Sequence, residues 1–273
     1  MQTWLNGALL EQADAPAIAV TDHGFTVGDG VFEAVKVVDG RPFALTRHLL
    51  RMSESARVMG LPELDLDEVR RGVAAVLAAQ APRLGRLRIT YTAGPMAMGS
   101  GRDQMTPTLA VVVGELSPPP RAARAITVPW PRNERGALAG VKSTSYGENV
   151  VALAAAAKAG AHEAIFANLQ GHLCEGTGSN VGYVVDGEVR TPTLASGCLA
   201  GVTRGLFVEW ADVVEIDEPI ERLREAEEVF LLSTTRDIQP VAWLDGRELQ
   251  TPGQITRELQ EVWIRRESED VDP

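Results

Sequence analysis

Two hydrophobic periods exchange places along this chain. Val31, Glu33, Val35 and Val37 alternate with Phe32, Ala34, Lys36 and Val38 and stop at Asp39-Gly40, which predicts a strand entering a hairpin. Shorter strand-like runs at 4–8 and 17–20 precede it. Leu49, Leu50, Met52 and Val58 recur at helical spacing and predict a helix over 46–59. A second helix is predicted over 66–80, with Asp65 as its N-cap. Strands at 86–91 and 108–113 then flank a Gly- and Met-rich loop at 94–101. Strands, helices and strands in that order point to an α+β fold rather than a regular βαβ alternation.

Pro118, Pro119 and Pro120 interrupt both periods, because three consecutive prolines join neither a helix nor a central strand. This stretch predicts a stiff linker at 116–124 between an N-terminal α/β domain, 1–115, and a C-terminal domain, 125–273. Past it the pattern predicts strands at 125–128 and 164–168 with an alanine-rich helix at 146–160 between them. A hairpin through Gln170-Gly171 follows, then strands at 182–185 and 188–191 about an Asp186-Gly187 turn. A helix opens near Gly201, a strand covers 229–232, and a loop leads to a terminal helix at 255–265. The acidic tail after Glu267 is expected to fray.

Composition narrows the classes of function. The 273 residues are 45% hydrophobic and 23% charged, which suits a globular chain and excludes a disordered one. A net charge of −11 argues against general binding to nucleic acid. No apolar run has the length of a membrane span, and the opening MQTWLNGALLEQADAP lacks a basic leader, so a cytoplasmic protein is expected. Cys174 and Cys198 have neither CxxC spacing nor histidine partners, so they are read as buried free thiols, with no disulfide framework and no metal site. Among 26 basic side chains only Lys36, Lys142 and Lys158 are lysine. Chemistry that needs a primary amine has three candidates.

Lys142, in GVKSTSYGENV, has apolar neighbours and no acidic residue closer in sequence than Glu148. Apolar surroundings favour the neutral amine that a Schiff-base lysine needs, although a surface lysine fits the same facts. Glu175 ends an apolar strand just before a Gly-Ser-Asn turn; it is either an edge-strand charge or a carboxylate that holds a protonated heterocyclic nitrogen. Val202 and Thr203 open a helix behind Gly201, an arrangement that suits a phosphate or an ordinary cap. Ser233-Thr234-Thr235 follows an apolar strand and offers donors, or simply a turn. The order of these signals says more than any one of them. An amine, a carboxylate, a phosphate-type helix start and a hydroxyl-rich strand end are together what pyridoxal phosphate requires.

With those residues in place, the sequence resembles the class IV aminotransferases, the fold type IV group that includes D-amino-acid transaminase, branched-chain aminotransferase and 4-amino-4-deoxychorismate lyase. The resemblance runs through NGALL, FTVGDGVFEAVKV, RHLLRMSESA, VKSTSYGENV, LCEGTGSNV, LAGVTR and EVFLLSTTRDIQPV. It implies a two-domain α+β fold of the D-amino-acid aminotransferase type, a homodimer, and pyridoxal 5′-phosphate as cofactor bound in part by the C-terminal domain. Carried over, it implies Lys142 as the internal-aldimine lysine and proton carrier, and Glu175 as partner of the pyridine nitrogen. Arg51 would pair with the phosphate, alongside Val202, Thr203 and Thr234, with Ser233 and Thr235 lending backbone groups. Leu199 would pack on the cofactor ring.

The departures from the resemblance bear on substrate. D-amino-acid transaminases carry a tyrosine at the position of Phe32, and an Arg-x-His pair where this chain has Met98 and Ser100. The usual carboxylate trap is therefore replaced, and Arg88, on a strand face with Arg86 and Thr90, is the first candidate, with Arg102 second; a solvated strand arginine is the alternative. The family's lyases place a threonine at Ala34, which favours transamination, whereas the segment around PWPRNERGALAG resembles chains described as lyases. The expected activity is transfer of an amino group from an amino donor, a D-amino acid or an (R)-amine, to a 2-oxo acid; the alternative is release of pyruvate and 4-aminobenzoate from aminodeoxychorismate.

Overall fold

The computed structural model describes residues 1–12 and 15–273, which form two compact units. The first comprises Met1–Pro118, Val141–Tyr146 and Val271–Pro273, and the second Pro119–Gly140 and Gly147–Asp270. No helix among the described residues is long and apolar enough to cross a membrane.

In the first unit β1 (Gln2–Leu5) and β2 (Ala8–Leu9) turn at Asn6-Gly7, both residues lying at positive φ. The run expected at 4–8 is thus two strands, broken where glycine tolerates the left-handed backbone. The run at 17–20 forms no strand; it is exposed and has no ladder to join. There follow α1 (His23–Thr26), β3 (Gly30–Val38), β4 (Arg41–Pro42), α2 (Leu45–Val58), α3 (Leu66–Ala79), β5 (Leu84–Thr92) and β6 (Thr108–Glu115). The sheet order is β2-β1-β6-β5-β3-β4, antiparallel throughout. Val35 and Val37 of β3, Leu87 and Ile89 of β5, and Val111 and Val113 of β6 pack with Leu49 and Met52 of α2 and Val69, Val73 and Val76 of α3. Each such side chain contributes about 1.5–3 kcal/mol on burial, so this core anchors β3 firmly. The Asp65 carboxylate caps α3 by accepting from the backbone N–H groups of Asp67 and Glu68.

Two later segments complete this unit. The 141–146 stretch lies along the edge of β3 that the short β4 leaves open: Phe32 N–H donates to Lys142 O at 3.0 Å and Thr144 N–H to Gly30 O at 2.8 Å. The C-terminal residues are also fixed, contrary to the expected fraying. Ala44 gives α2 no side-chain cap, and Asp272 supplies one, accepting from Thr46 N–H at 2.8 Å while Ala44 N–H donates to Val271 O at 2.7 Å.

The second unit contains β7 (Ala123–Thr127), α4 (Gly147–Lys158), β8 (Glu163–Ala167), β9 (Leu173–Gly176), β10 (Asn180–Val185), β11 (Glu188–Thr191), α5 (Val202–Trp210), β12 (Val214–Glu215), β13 (Glu228–Ser233), β14 (Asp237–Leu244), β15 (Arg247–Glu248) and α6 (Gln254–Glu269). Its sheet runs β12-β11-β10-β13-β14-β7-β8-β9, with β15 on β14. Strand β14 lies where the sequence pattern predicts a loop. Pro240 interrupts its donors, yet it sits opposite Phe230, beside a bulge between Val241 and Trp243 where the parallel pairing to β7 begins. Ile165, Leu173, Val181, Tyr183, Val229 and Leu231 fill the core. Cys174 and Cys198 are buried and free, and burial pushes both thiols above their ordinary pKa.

Candidate active site

Alternation along β3 sends its side chains to opposite faces, and both faces carry chemistry. On the core face Glu33 is fully buried. Its Oε1 accepts from Arg51 Nε at 2.7 Å, while Oε2 accepts from Arg51 Nη2 at 2.6 Å and from His48 Nδ1 at 2.7 Å. Burial alone would raise the Glu33 pKa; the Arg51 guanidinium, then the His48 interactions, outweigh it and hold the carboxyl at about 2. Burial lowers the His48 pKa against the pull of Glu33, which favours a neutral imidazole that donates through Nδ1. His48, Arg51 and Ser55 stand at i, i+3 and i+7 on α2, so one helix face meets both Glu33 and, through Ser55 Oγ at 3.4 Å, the Lys142 N–H.

On the other face Phe32 is buried and is a meeting point for three polar side chains. Lys142 Nζ lies 4.5 Å from its ring centroid, Arg88 Cζ lies 4.0 Å from it, and the Tyr146 ring meets it edge-on at 5.3 Å. Arg88 stands on β5 opposite Ala34, and its Nε donates to Thr90 Oγ1 at 3.2 Å. It is solvent-accessible and pairs with no carboxylate among the described residues. Arg102 differs: Nε and Nη2 fork onto the Asp29 carboxylate and Nη1 donates to Met59 O at 2.7 Å, which removes it as a carboxylate receptor. Met98 is exposed and offers no anion ligand.

The second unit gathers the remaining expected residues. Glu175 lies on β9, the last strand in its sheet order, but it is not a solvated edge charge. Its Oε2 accepts from Leu199 N–H at 2.9 Å and its Oε1 lies 3.2 Å from Arg132 Nε, with the Arg132 guanidinium over the Phe166 ring at 4.0 Å. Helix α5 begins at Gly201 with no side-chain cap, and Val202 and Thr203 are buried in its first turn. Gly201 is required there, since a Cβ would stand 2.1 Å from Asn180 Oδ1, and Asn180 Nδ2 in turn donates to Leu199 O at 2.8 Å. At the end of β13, Ser233 Oγ is shielded from water with no hydrogen-bond partner among the described residues, and Thr234 and Thr235 follow half-buried in the turn to β14.

Lys142, Phe32 and Arg88 are therefore brought together in one unit, with Arg51 on the opposite face of β3. Glu175 and Leu199 are brought together in the other unit, where Asn180 links Leu199 to the α5 start. Sequence reasoning missed Glu33 and His48 as partners of Arg51, and Arg132 as partner of Glu175. The signal for Glu33 was a charged residue on the otherwise apolar face of β3. An uncapped helix start, an orphaned serine hydroxyl and a tethered carboxylate fit pyridoxal phosphate: donors for an anion, and an acceptor for a ring nitrogen.

Comparison with known proteins gives a consistent picture. Residues 30–244 match the family described as Amino-transferase class IV. A putative branched-chain-amino-acid aminotransferase of Methanocaldococcus jannaschii is 33% identical over 251 residues, covering 88% of this chain and 87% of that protein. A bifunctional aminodeoxychorismate lyase / D-amino acid transaminase of Mycobacterium tuberculosis is 32% identical, with 83% of each chain covered. Among solved structures, a pyridoxal-phosphate-bound hypothetical aminotransferase from M. tuberculosis superposes with a TM-score of 0.85 at 30% identity, covering 96% of this chain and 97% of that one.

Proposed function

We propose that this chain, which belongs to the pyridoxal-phosphate-dependent class IV aminotransferases, moves the amino group of a D-amino acid to a 2-oxo acid and accepts (R)-amines through the same site. Pyridoxal phosphate, when bound, supplies the electron sink that makes an α-proton removable. In the first unit Lys142 provides the amine that holds the cofactor and moves the substrate proton at Nζ. Arg51, oriented by Glu33, provides a fixed cation for the phosphate. In the second unit Glu175 accepts from the protonated ring nitrogen, and Arg132 and Leu199 N–H keep it from turning away. Val202 and Thr203 at the α5 start and Ser233 and Thr234 at the β13 end provide phosphate donors, with Thr235 beside them and Leu199 against the ring. The chain acts as a cytoplasmic homodimer in this reading.

One observation supports an amino donor that carries a carboxylate: an accessible guanidinium, Arg88, with no carboxylate of its own among the described residues lies on the ring that also faces Lys142 Nζ. A substrate α-carboxylate would complete its pairing while the amino group stays beside the lysine. Compared with a tyrosine at this position, Phe32 gives up the hydroxyl and keeps the ring over which both cations lie. The lyase reading is supported by the bifunctional M. tuberculosis relative, and Ala34, opposite Arg88, stands against it because it offers no hydroxyl. The branched-chain reading is supported by the M. jannaschii relative. A panel of D-alanine, L-leucine and an (R)-amine with 2-oxoglutarate, and aminodeoxychorismate alone, separates the three. Glutamate formed from D-alanine supports the proposal; turnover only with L-leucine, or only release of 4-aminobenzoate, refutes it.

A further inference from the structure

Outside the residues already assigned, the second unit holds one carboxylate that is wholly buried and saturated with donors, Glu163 at the start of β8. Its Oε1 accepts from Ala164 N–H at 3.1 Å, Thr177 N–H at 2.9 Å and Thr177 Oγ1; its Oε2 accepts from Ser179 Oγ at 3.1 Å and Arg236 Nη1 at 2.9 Å. A carboxylate is costly to bury, and a bond from the next residue's N–H alone does not offset that cost. Its partners instead come from two separate turns. Thr177 and Ser179 form the turn between β9 and β10, two residues past Glu175 and next to Asn180. Arg236 closes the turn 234–236 between β13 and β14, where its N–H donates to Ser233 O at 3.0 Å.

Each turn leads to one of the phosphate-donor groups. From Ser179 the path runs through Asn180, which bonds Leu199 O and packs on Gly201, to the first turn of α5. From Arg236 it runs to Ser233 and Thr234. Gly176 leaves the room this needs: a Cβ there would stand 2.5 Å from Ser179 Oγ and 3.1 Å from Glu163 Cδ. Asn149 Nδ2 adds a bond to Thr177 O at 2.6 Å from the first turn of α4.

We infer that Glu163 is a positioning residue that sets the spacing between the α5 start and the 233–235 turn, and thereby the affinity of this unit for the phosphate group of its cofactor. Glu163 touches neither phosphate nor ring; it acts by holding Ser179 and Arg236 to one point. The inference rests on the phosphate reading of these two segments given above.

The test compares apoenzyme affinity for pyridoxal phosphate with that for pyridoxal, which lacks the phosphate, in wild type, Glu163→Gln and Thr203→Ala. Glu163→Gln is expected to weaken pyridoxal phosphate about tenfold or more, the equivalent of one charge-assisted hydrogen bond, and pyridoxal less than about threefold. Equal weakening of both ligands, or of neither, overturns the inference, because a merely structural role does not distinguish them. If Glu163→Gln does not fold, Ser179→Ala, which removes one bond from the same point, is read by the same criterion. A selective loss in Thr203→Ala without one in Glu163→Gln overturns the role of Glu163 alone. An unselective effect in Thr203→Ala overturns the phosphate reading beneath it.

Discussion

Replacing Glu33 by glutamine tests the ion-pair core of the first unit. The carboxyl is held at about 2 against an ordinary value of 4.5. At about 1.36 kcal/mol per pKa unit, that difference amounts to roughly 3 kcal/mol of stability at neutral pH. Because the folded pKa is depressed, this contribution is complete above pH 4.5 and disappears as the pH falls toward 2. About 2 of those 3 kcal/mol should be gone by pH 3. Glutamine keeps the shape but leaves the Arg51 guanidinium, whose side chain is 13% exposed, without its counter-charge. Urea unfolding of both proteins at pH 7, 5, 4 and 3 reads the difference. The variant should be about 3 kcal/mol less stable at pH 7, with the gap narrowing to about 1 kcal/mol at pH 3. A gap that is constant with pH, or below about 1 kcal/mol at pH 7, would refute the argument that this buried triad is a net source of stability.

Other consequences follow from single contacts. Lys142→Ala should remove the visible absorbance band of lysine-bound pyridoxal phosphate and abolish turnover, as a spectrum and a coupled assay would show. Gly201→Ala, whose Cβ meets Asn180 Oδ1 at 2.1 Å, should cost about 1–3 kcal/mol in thermal unfolding and speed cofactor loss. Arg102→Ala should release the Asp29 clamp and expose the 94–107 loop to limited proteolysis, while leaving the D-alanine KM within about twofold.

Where an element depends on local pattern, the sequence is readable. Strand β3, helices α2 and α3, the Asp65 cap and the α5 start all follow from periodicity and capping chemistry carried by adjacent residues. Lys142 and Glu175 stand out as candidates because an amine and a carboxylate lie in sequence order before a helix start. What escaped depends on pairing across the chain. Strand β14 is held by β13 and, in parallel, by the distant β7, so Pro240 outweighed its apolar neighbours when read locally. Arg132 and Glu175 are 43 positions apart and meet only because the residue pair Arg132 and Asn168 bridges next to β8, on which β9 folds back. The C-terminal tail looked frayed because its partners, Ala44 and Thr46, lie at the far end of the sequence.

The central claim is that Arg88, on the Phe32 ring beside Lys142, reads the carboxylate of the amino donor. Steady-state kinetics of Arg88→Leu with D-alanine and with (R)-1-phenylethylamine, an amine without a carboxylate, test it directly. Losing a charged hydrogen-bonded pair of about 1.5–3 kcal/mol should lower kcat/KM for D-alanine about 10- to 100-fold. The amine should stay within about threefold of wild type. An equal fall for both donors, or no fall for D-alanine, would contradict the account.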